Sequence, residues 1–164
     1  MRWITRERVQ IDRLASAWLI RRFVDPQAEF HFVPRGAAAS DVTDGIPFQL
    51  PGGELAPMEG RSTFEAILNT YHLAPTDPAL AELGSLVRAA DHLHGAVAFR
   101  HQSVRDALLA DAPPETAGLQ MLLHGIRRLA TDDQDAIDRA TVALDAVYAA
   151  LRAHESSATA GSSS

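Results

Sequence analysis

The clearest pattern of hydrophobic and polar positions lies in residues 3–34, where a strand pattern changes to a helical one and back again. From residue 11 the apolar residues recur every three or four positions, which gathers them on one side of a helix. They are Ile11, Leu14, Ala15, Trp18 and Leu19. Asp25-Pro26 ends this helix, because the residue before a proline is pushed out of the helical region. Residues 29–34 then alternate as a half-buried strand.

One charged residue interrupts the apolar side of this helix. Arg22 follows Trp18 by four positions and therefore projects from the apolar stripe. Because a buried guanidinium without a partner costs several kcal/mol, we expect a carboxylate or a bound anion beside it. Asp91 extends the stripe of a later helix in the same way. We therefore expect both residues to face a common interior or cleft, as a structural pair or as parts of a site. The alternative is that the stem of Arg22 packs against its neighbours and its charged head reaches a neighbouring Asp.

The rest of the chain predicts one more short strand followed by helices. Residues 46–50 read as a strand, and Pro47 places it at a sheet edge. Ser62 and Glu65 form a capping box, which begins a helix. Further helix-start signals lie at residues 76–78, 114–115 and 131–134. The predicted class is α+β, with a mainly helical body and a small sheet from the N-terminal third, in a single domain over residues 1–155 with a flexible tail over 156–164.

Composition excludes several kinds of chemistry. The chain of 164 residues has no cysteine, so disulfides and thiolate metal sites are absent. All fifteen basic residues are arginine, which excludes a lysine Schiff base and a P-loop lysine. The formal net charge of −6 argues against a general nucleic-acid surface. No apolar run is long enough for a membrane span, and no secretory core follows Met1, so we expect a soluble, cytoplasmic protein.

The residues compatible with metal binding are carboxylates and histidines. Asp91, His92 and His94 form a cluster, with His101 further along the chain. Two histidines two positions apart converge on one ion from a strand but diverge on a helix, so a site here needs the helix to end near Asp91. The alternative is that these are solvated histidines at a helix end. Glu65 has its own alternative, as the partner in the capping box.

The sequence also resembles a known family. The runs WITRER, IDRLASAWLIRRF and VDPQAEFHFVP are similar to the chromate-resistance protein family, specifically to the C-terminal domain of ChrB proteins, and weaker similarity continues through FEAILNTYHL and LDAVYAALR. The resemblance covers most of residues 2–152. Members often carry a cysteine at the position of Ser16 and another just before Phe64, so thiol chemistry is not transferred to this chain. The segment from His92 to Pro114 also departs from the family pattern.

The resemblance implies a domain that binds or senses an oxyanion such as chromate, or a metal. A tetrahedral dianion is held by forked guanidinium donors, and the candidates are Arg6, Arg13 and Arg22. DNA binding is attributed to a separate N-terminal region of full-length members and is not transferred. The partners implied are a small oxyanion or metal ion, with no nucleic acid and no membrane; a homodimer stays open.

An alternative interpretation is that the protein is a metal-dependent enzyme of unknown reaction, with a divalent metal ion as cofactor. The ligands would come from Glu65, Asp91, His92 and Asp145. A site rich in oxygen ligands would favour Mg, Mn or Fe(II). Asp145 flanks the stripe of the last helix and matches an acidic position of the family; its alternative role is that of a rim residue paired with an arginine.

Overall fold

The computed structural model describes residues 1–58, 60–98 and 102–161. Its strands are β1 (Arg2–Arg6), β2 (Glu29–Val33) and β3 (Ile46–Pro47). Its α-helices are α1 (Ile11–Leu19), α2 (Thr63–Thr70), α3 (Pro78–Ala98), α4 (Gln102–Asp111), α5 (Thr116–Leu129) and α6 (Asp133–Gly161). The predicted α+β class, with a small sheet in the N-terminal third, is confirmed. His101 and residues 162–164 of the predicted tail lie outside the described residues.

The sheet is parallel and has the strand order β2-β1-β3. β1 passes through α1 into β2, because parallel neighbours need a crossover connection and a helix supplies it. β3 hydrogen-bonds only to β1 among the described strands, so Pro47 lies at an edge as predicted, where its missing N–H costs least. The carboxyl ends of all strands in this sheet therefore face the same side of the molecule.

Helix α1 lies at the centre of the helical body, in contact with α2, α3, α5 and α6. Its apolar side is fully buried, as the spacing predicts. The Trp18 ring stacks on Phe64 of α2, with centroids 6.3 Å apart, and meets Tyr148 of α6 edge-on at 5.6 Å. These aromatic contacts fix α1 against both neighbours. No helix within the described ranges is both long enough and apolar enough to cross a lipid bilayer.

The end of α1 does not keep the geometry of an α-helix. Residues Ile20–Val24 form a π-helical turn, and the Asp25 N–H donates to the carbonyl of Ile20, 2.7 Å away. A π turn contains more residues than an α turn, so side chains beyond Leu19 rotate away from the α-helical stripe. Arg22 lies in this turn, and its side chain is 45% exposed.

Candidate functional site

A polar cavity of about 400 Å³ lies at the carboxyl edge of the sheet. We call it the edge cavity. Its lining comes from β1 and the loop after it, the first turn of α1, the segments after β2 and β3, and α3. The residues are Arg6, Glu7, Arg8, Gln10, Asp12, Arg13, Arg35, Gln49, Asp91, His94 and Gly95.

The strand order explains why a cavity forms at this edge. The chain leaves β1 toward β2 on one side, while β3 pairs with β1 on the other side. At such a switch point the connections diverge and leave a crevice outside the carboxyl ends of the strands, which is where open parallel sheets bind ligands. Arg6 is the last residue of β1, Arg35 follows β2 and Gln49 follows β3. The fold therefore gathers these three residues at one crevice.

The loop between β1 and α1 is held in a strained conformation. In this loop Arg8 has a φ of 60°, and Gln49, which follows β3 on the other side of the cavity, has a φ of 51°. This left-handed region costs a non-glycine residue about 1–3 kcal/mol. Asp133, the first residue of α6, compensates for part of this cost. Its carboxylate accepts the N–H of Arg8 at 2.8 Å and that of Val9 at 2.9 Å. The last helix therefore sets the shape of one wall of the edge cavity.

The edge cavity contains two arginines with unused donors. The Nε atoms of Arg6 and Arg13 are buried and have no hydrogen-bond partner in the described part of the chain. Arg13 makes a long contact, 3.4 Å, from a terminal nitrogen to the carbonyl of Arg8. Burial lowers the pKa of Arg13, and the nearby charge of Arg6 lowers it further. Both effects disfavour the charged form of Arg13, and a bound anion would favour it.

Asp12 forms the floor of this cavity and joins it to α2. Its side chain is buried, with 2% of the residue exposed. The carboxylate accepts the N–H groups of Thr63 at 2.8 Å and Phe64 at 3.0 Å, and the hydroxyl of Ser16 at 3.3 Å. Burial raises its pKa, and these helix N–H groups oppose the rise. Asp12 thus satisfies the first turn of α2 from outside that helix.

Asp91 lies on the wall of the edge cavity, and Arg22 does not meet it. The Asp91 carboxylate accepts the backbone N–H of Asp12 at 3.4 Å. Arg22 instead forms a forked pair with Asp145 of α6, with distances of 2.9 and 2.6 Å. The expectation that Arg22 and Asp91 share one cleft is therefore wrong. The physical reason is their position along α1. Asp91 bonds the first turn of that helix at Asp12, whereas Arg22 lies ten residues further on, about 15 Å along the helix axis at 1.5 Å per residue.

The pair between Arg22 and Asp145 gives a pH-dependent prediction. The fork from Arg22 lowers the pKa of Asp145, and the Trp18 indole, 2.8 Å away, adds to the effect. Because the folded pKa lies below the ordinary 3.8, the stabilisation is present above that pH and is lost as the pH falls through the folded pKa. The pair is partly exposed, so Asp145→Asn should cost about 1 kcal/mol at pH 7.

Denaturant unfolding of the wild type and Asp145→Asn at pH 7 and pH 3 checks this prediction. The difference in free energy of unfolding between the two proteins should be smaller at pH 3 than at pH 7. The asparagine side chain keeps a carbonyl oxygen for the indole, so the variant isolates the charge. Arg22→Gln is the matched control and should show a similar loss at pH 7. A difference that stays constant with pH would contradict the assigned role of the charge.

The predicted metal ligands are held by separate partners. Glu65 accepts the N–H of Ser62 at 2.8 Å, as the capping box predicts, and lies 3.4 Å from Arg88. Asp145 pairs with Arg22, and Asp91 lines the edge cavity. His92 is exposed and lines a different cavity, between α3 and α4. Within the described part of the chain no group of three His, Asp or Glu side chains is arranged to hold a metal ion.

The histidine cluster does not have the geometry that a shared ion needs. Convergence of His92 and His94 requires a helix that ends near Asp91, but α3 continues to Ala98. The two side chains therefore leave the helix on different sides. His94 faces the ring of His124 on α5, with centroids 5.3 Å apart, and burial lowers its pKa. The condition for a metal site at His92 and His94, a helix that ends near Asp91, is therefore not met.

Sequence reasoning did not single out several residues of the site. Asp12 carried a signal, because it occupies the first turn of α1 between buried positions and lies one turn before Ser16. Arg35 and Gln49 carried none, since each follows a strand in an irregular segment. Asp133 was visible only as part of a helix-start signal. Its bonds to the loop after β1 span more than 120 positions and depend on tertiary structure.

Comparisons with known proteins give one consistent result. The family model described as "ChrB, C-terminal domain" matches residues 3–151. Protein ChrB of Cupriavidus metallidurans is 30% identical to the chain over 146 residues, which are 89% of this chain and 39% of that protein. The chain therefore spans less than half the length of this relative. No solved structure matches it.

Proposed function

The chain belongs to the family of ChrB C-terminal domains, and from this membership we propose that it acts in chromate resistance by binding chromate or a similar oxyanion in the cytoplasm. The matched region covers β1, α1 and the other elements that form the edge cavity. The proposed binding site is this cavity, with Arg6 and Arg13 as the principal donors.

The observation that carries the proposal is a pair of arginines whose Nε donors have no hydrogen-bond partner. Arg6 and Arg13 each hold a buried Nε donor without a hydrogen-bond partner among the described residues, and both line one cavity. Chromate is a tetrahedral dianion whose oxygens accept charge-assisted hydrogen bonds from such groups. A dianion between the two side chains would neutralise their mutual repulsion and satisfy both donors. A neutral ligand would leave the repulsion in place.

Four arginines and three acidic residues, one of them Glu7, line the edge cavity, so its formal charge is positive. Asp12 accepts its hydrogen bonds from Thr63, Phe64 and Ser16 and not from the cavity arginines. Asp91 accepts the backbone N–H of Asp12. These bonds hold both carboxylates to the cavity wall. The guanidinium donors are thus the groups left for the ligand.

Isothermal titration calorimetry with chromate and with sulfate, a tetrahedral dianion that is not an oxidant, tests the proposal. Because the chain has no cysteine, protein thiols do not consume chromate during the titration. Arg13→Gln should weaken binding at least tenfold, since a hydrogen bond to a charged group is worth about 1.5–3 kcal/mol.

Two control variants make this titration specific. Arg139→Gln removes an exposed arginine that pairs with Asp135 on α6, so it changes the net charge by the same amount. Arg22→Gln removes the third predicted oxyanion residue, which pairs with Asp145. Both should bind chromate within about twofold of the wild type. An equal loss in Arg13→Gln and Arg139→Gln would show that net charge alone governs binding and would overturn the proposal.

A further inference from the structure

Another cavity, of about 510 Å³, adjoins the edge cavity. We call it the α5 cavity. Both cavities are lined by Arg8, Gln10 and His94, so they meet along this shared wall. The α5 cavity continues to Arg127 and Arg128, near the end of helix α5. The two cavities are therefore neighbours on either side of these three residues, and we call the pair together the groove.

The α5 cavity has the charge of an anion site. Its lining includes the side chains of Arg8, Arg127 and Arg128 and contains no Asp or Glu. The protein as a whole has a formal net charge of −6, so this local excess of cations runs against the overall balance. Cations gathered in a cleft attract an anionic ligand more strongly than the same charges spread over a surface.

The two cavities share a further feature. Within the described part of the chain, the buried arginine Nε atoms without a hydrogen-bond partner belong to Arg6, Arg13 and Arg127. The first two line the edge cavity and the third lines the α5 cavity. Arg127 forms an ion pair with Asp133 through a terminal nitrogen at 3.6 Å, and its Nε still lacks a hydrogen-bond partner. Each cavity is thus lined by an arginine whose Nε donor has no partner within the described residues.

The size of the groove exceeds what one small oxyanion needs. A water molecule occupies about 30 Å³ of liquid, so a tetrahedral oxyanion displaces on the order of 100 Å³. The edge cavity alone is several times larger, and the α5 cavity adds a second cationic position that a single oxyanion in the edge cavity leaves unused. Cavities of this size are typical of sites for organic ligands.

We propose that the groove binds one extended ligand with two linked oxyanion groups, of the diphosphate or polyphosphate class. One group lies between Arg6 and Arg13, and the other lies at Arg127 and Arg128. This inference rests on the proposed function, because it assigns the first group to the same oxyanion position. Gln10 and His94 lie where the two cavities meet, so they contact the bridge between the groups.

Titration calorimetry with orthophosphate, pyrophosphate, tripolyphosphate and ADP tests the inference. The wild type should bind pyrophosphate or tripolyphosphate at least tenfold more tightly than orthophosphate, since a second charged group adds hydrogen bonds to guanidinium. The titration with ADP shows whether the ligand is a nucleotide or an inorganic polyphosphate. ADP should bind more tightly than pyrophosphate only if the groove also accepts a nucleoside. Circular dichroism confirms that each variant is folded.

The variant Arg128→Gln should abolish the preference for pyrophosphate and leave chromate and orthophosphate affinity within about twofold. Arg128 is exposed, so its replacement leaves the core intact. The double variant Arg127→Gln/Arg128→Gln should give the same result, with Arg139→Gln as the control of equal charge. The inference is overturned if the wild type does not prefer pyrophosphate to orthophosphate, or if the double variant keeps that preference. Neither result affects the chromate proposal. Pyrophosphate that binds through Arg128 without any chromate binding overturns the chromate proposal alone.

Discussion

Replacing Asp12 with alanine is expected to lower the free energy of unfolding by about 3–5 kcal/mol, because three buried donors lose their acceptor at once. The donors are the N–H groups of Thr63 and Phe64 and the hydroxyl of Ser16. The first turn of a helix has no internal partners for its N–H groups, so α2 depends on this carboxylate from α1. Denaturant unfolding followed by circular dichroism measures the loss.

Two further variants define the role of Asp12. Asp138→Ala removes an exposed carboxylate that pairs with Arg21, and it should cost less than about 1 kcal/mol. Asp12→Asn keeps one acceptor oxygen and should cost less than Asp12→Ala. The pKa of Asp12 is raised above 3.8 in the folded state, so folding favours the protonated carboxyl. The stability that this gives is present in full below pH 3.8 and is lost as the pH rises through the folded pKa. The difference in free energy of unfolding between the wild type and Asp12→Asn should therefore become smaller from pH 4 to pH 7.

A loss below about 1 kcal/mol in Asp12→Ala would contradict this account. It would mean that solvent replaces the carboxylate at the start of α2. Asp12 lines the edge cavity, so water would reach these donors from that side.

The double variant Arg6→Gln/Arg13→Gln is expected to weaken chromate binding at least 100-fold without loss of stability. Two charge-assisted hydrogen bonds, each worth about 1.5–3 kcal/mol, account for the lost affinity. Burial and the charge of Arg6 lower the pKa of Arg13, which means that the folded state disfavours this cation. Its removal should therefore leave the free energy of unfolding unchanged or raise it slightly. Binding sites often carry such a cost to stability.

Titration and denaturant unfolding of the same preparations check both parts of this prediction. Arg6→Lys/Arg13→Lys is the matched control, because it keeps both charges but loses the forked donors, and it should bind with intermediate affinity. A double glutamine variant that loses several kcal/mol of stability would show instead that the arginines support the fold. Unchanged chromate affinity in that variant would remove the edge cavity as the binding site.

Local patterns in the sequence were sufficient to predict the β1-α1-β2 block. The change of spacing near residue 11, the stop at Asp25-Pro26 and the alternation that follows all act over a few residues, and the structure has the expected elements. The capping box at Ser62 and Glu65 is also local and is confirmed. These signals are readable because they depend on neighbouring side chains and backbone groups.

The geometry of the site depended on features that spacing does not reveal. Spacing along the chain indicated that Arg22 and Asp91 both face inward, but it does not show that they contact opposite ends of α1. Its partner Asp145 lies 123 positions away, on a helix whose packing is set by tertiary structure. Arg6 and Arg13 were singled out from the family-like block. Their unused donors become apparent only when the surrounding walls are assembled.

The bonds from Asp133 to the loop after β1 have a consequence for biosynthesis. The acceptor lies 125 positions after Arg8, so the loop has no partner for its amide groups until the ribosome has produced the start of α6. Domains emerge from the amino end at about 5–20 residues per second, which leaves a nascent chain with an incomplete cavity for several seconds. The proposed anion site is thus incomplete during translation until α6 has been added to the growing polypeptide.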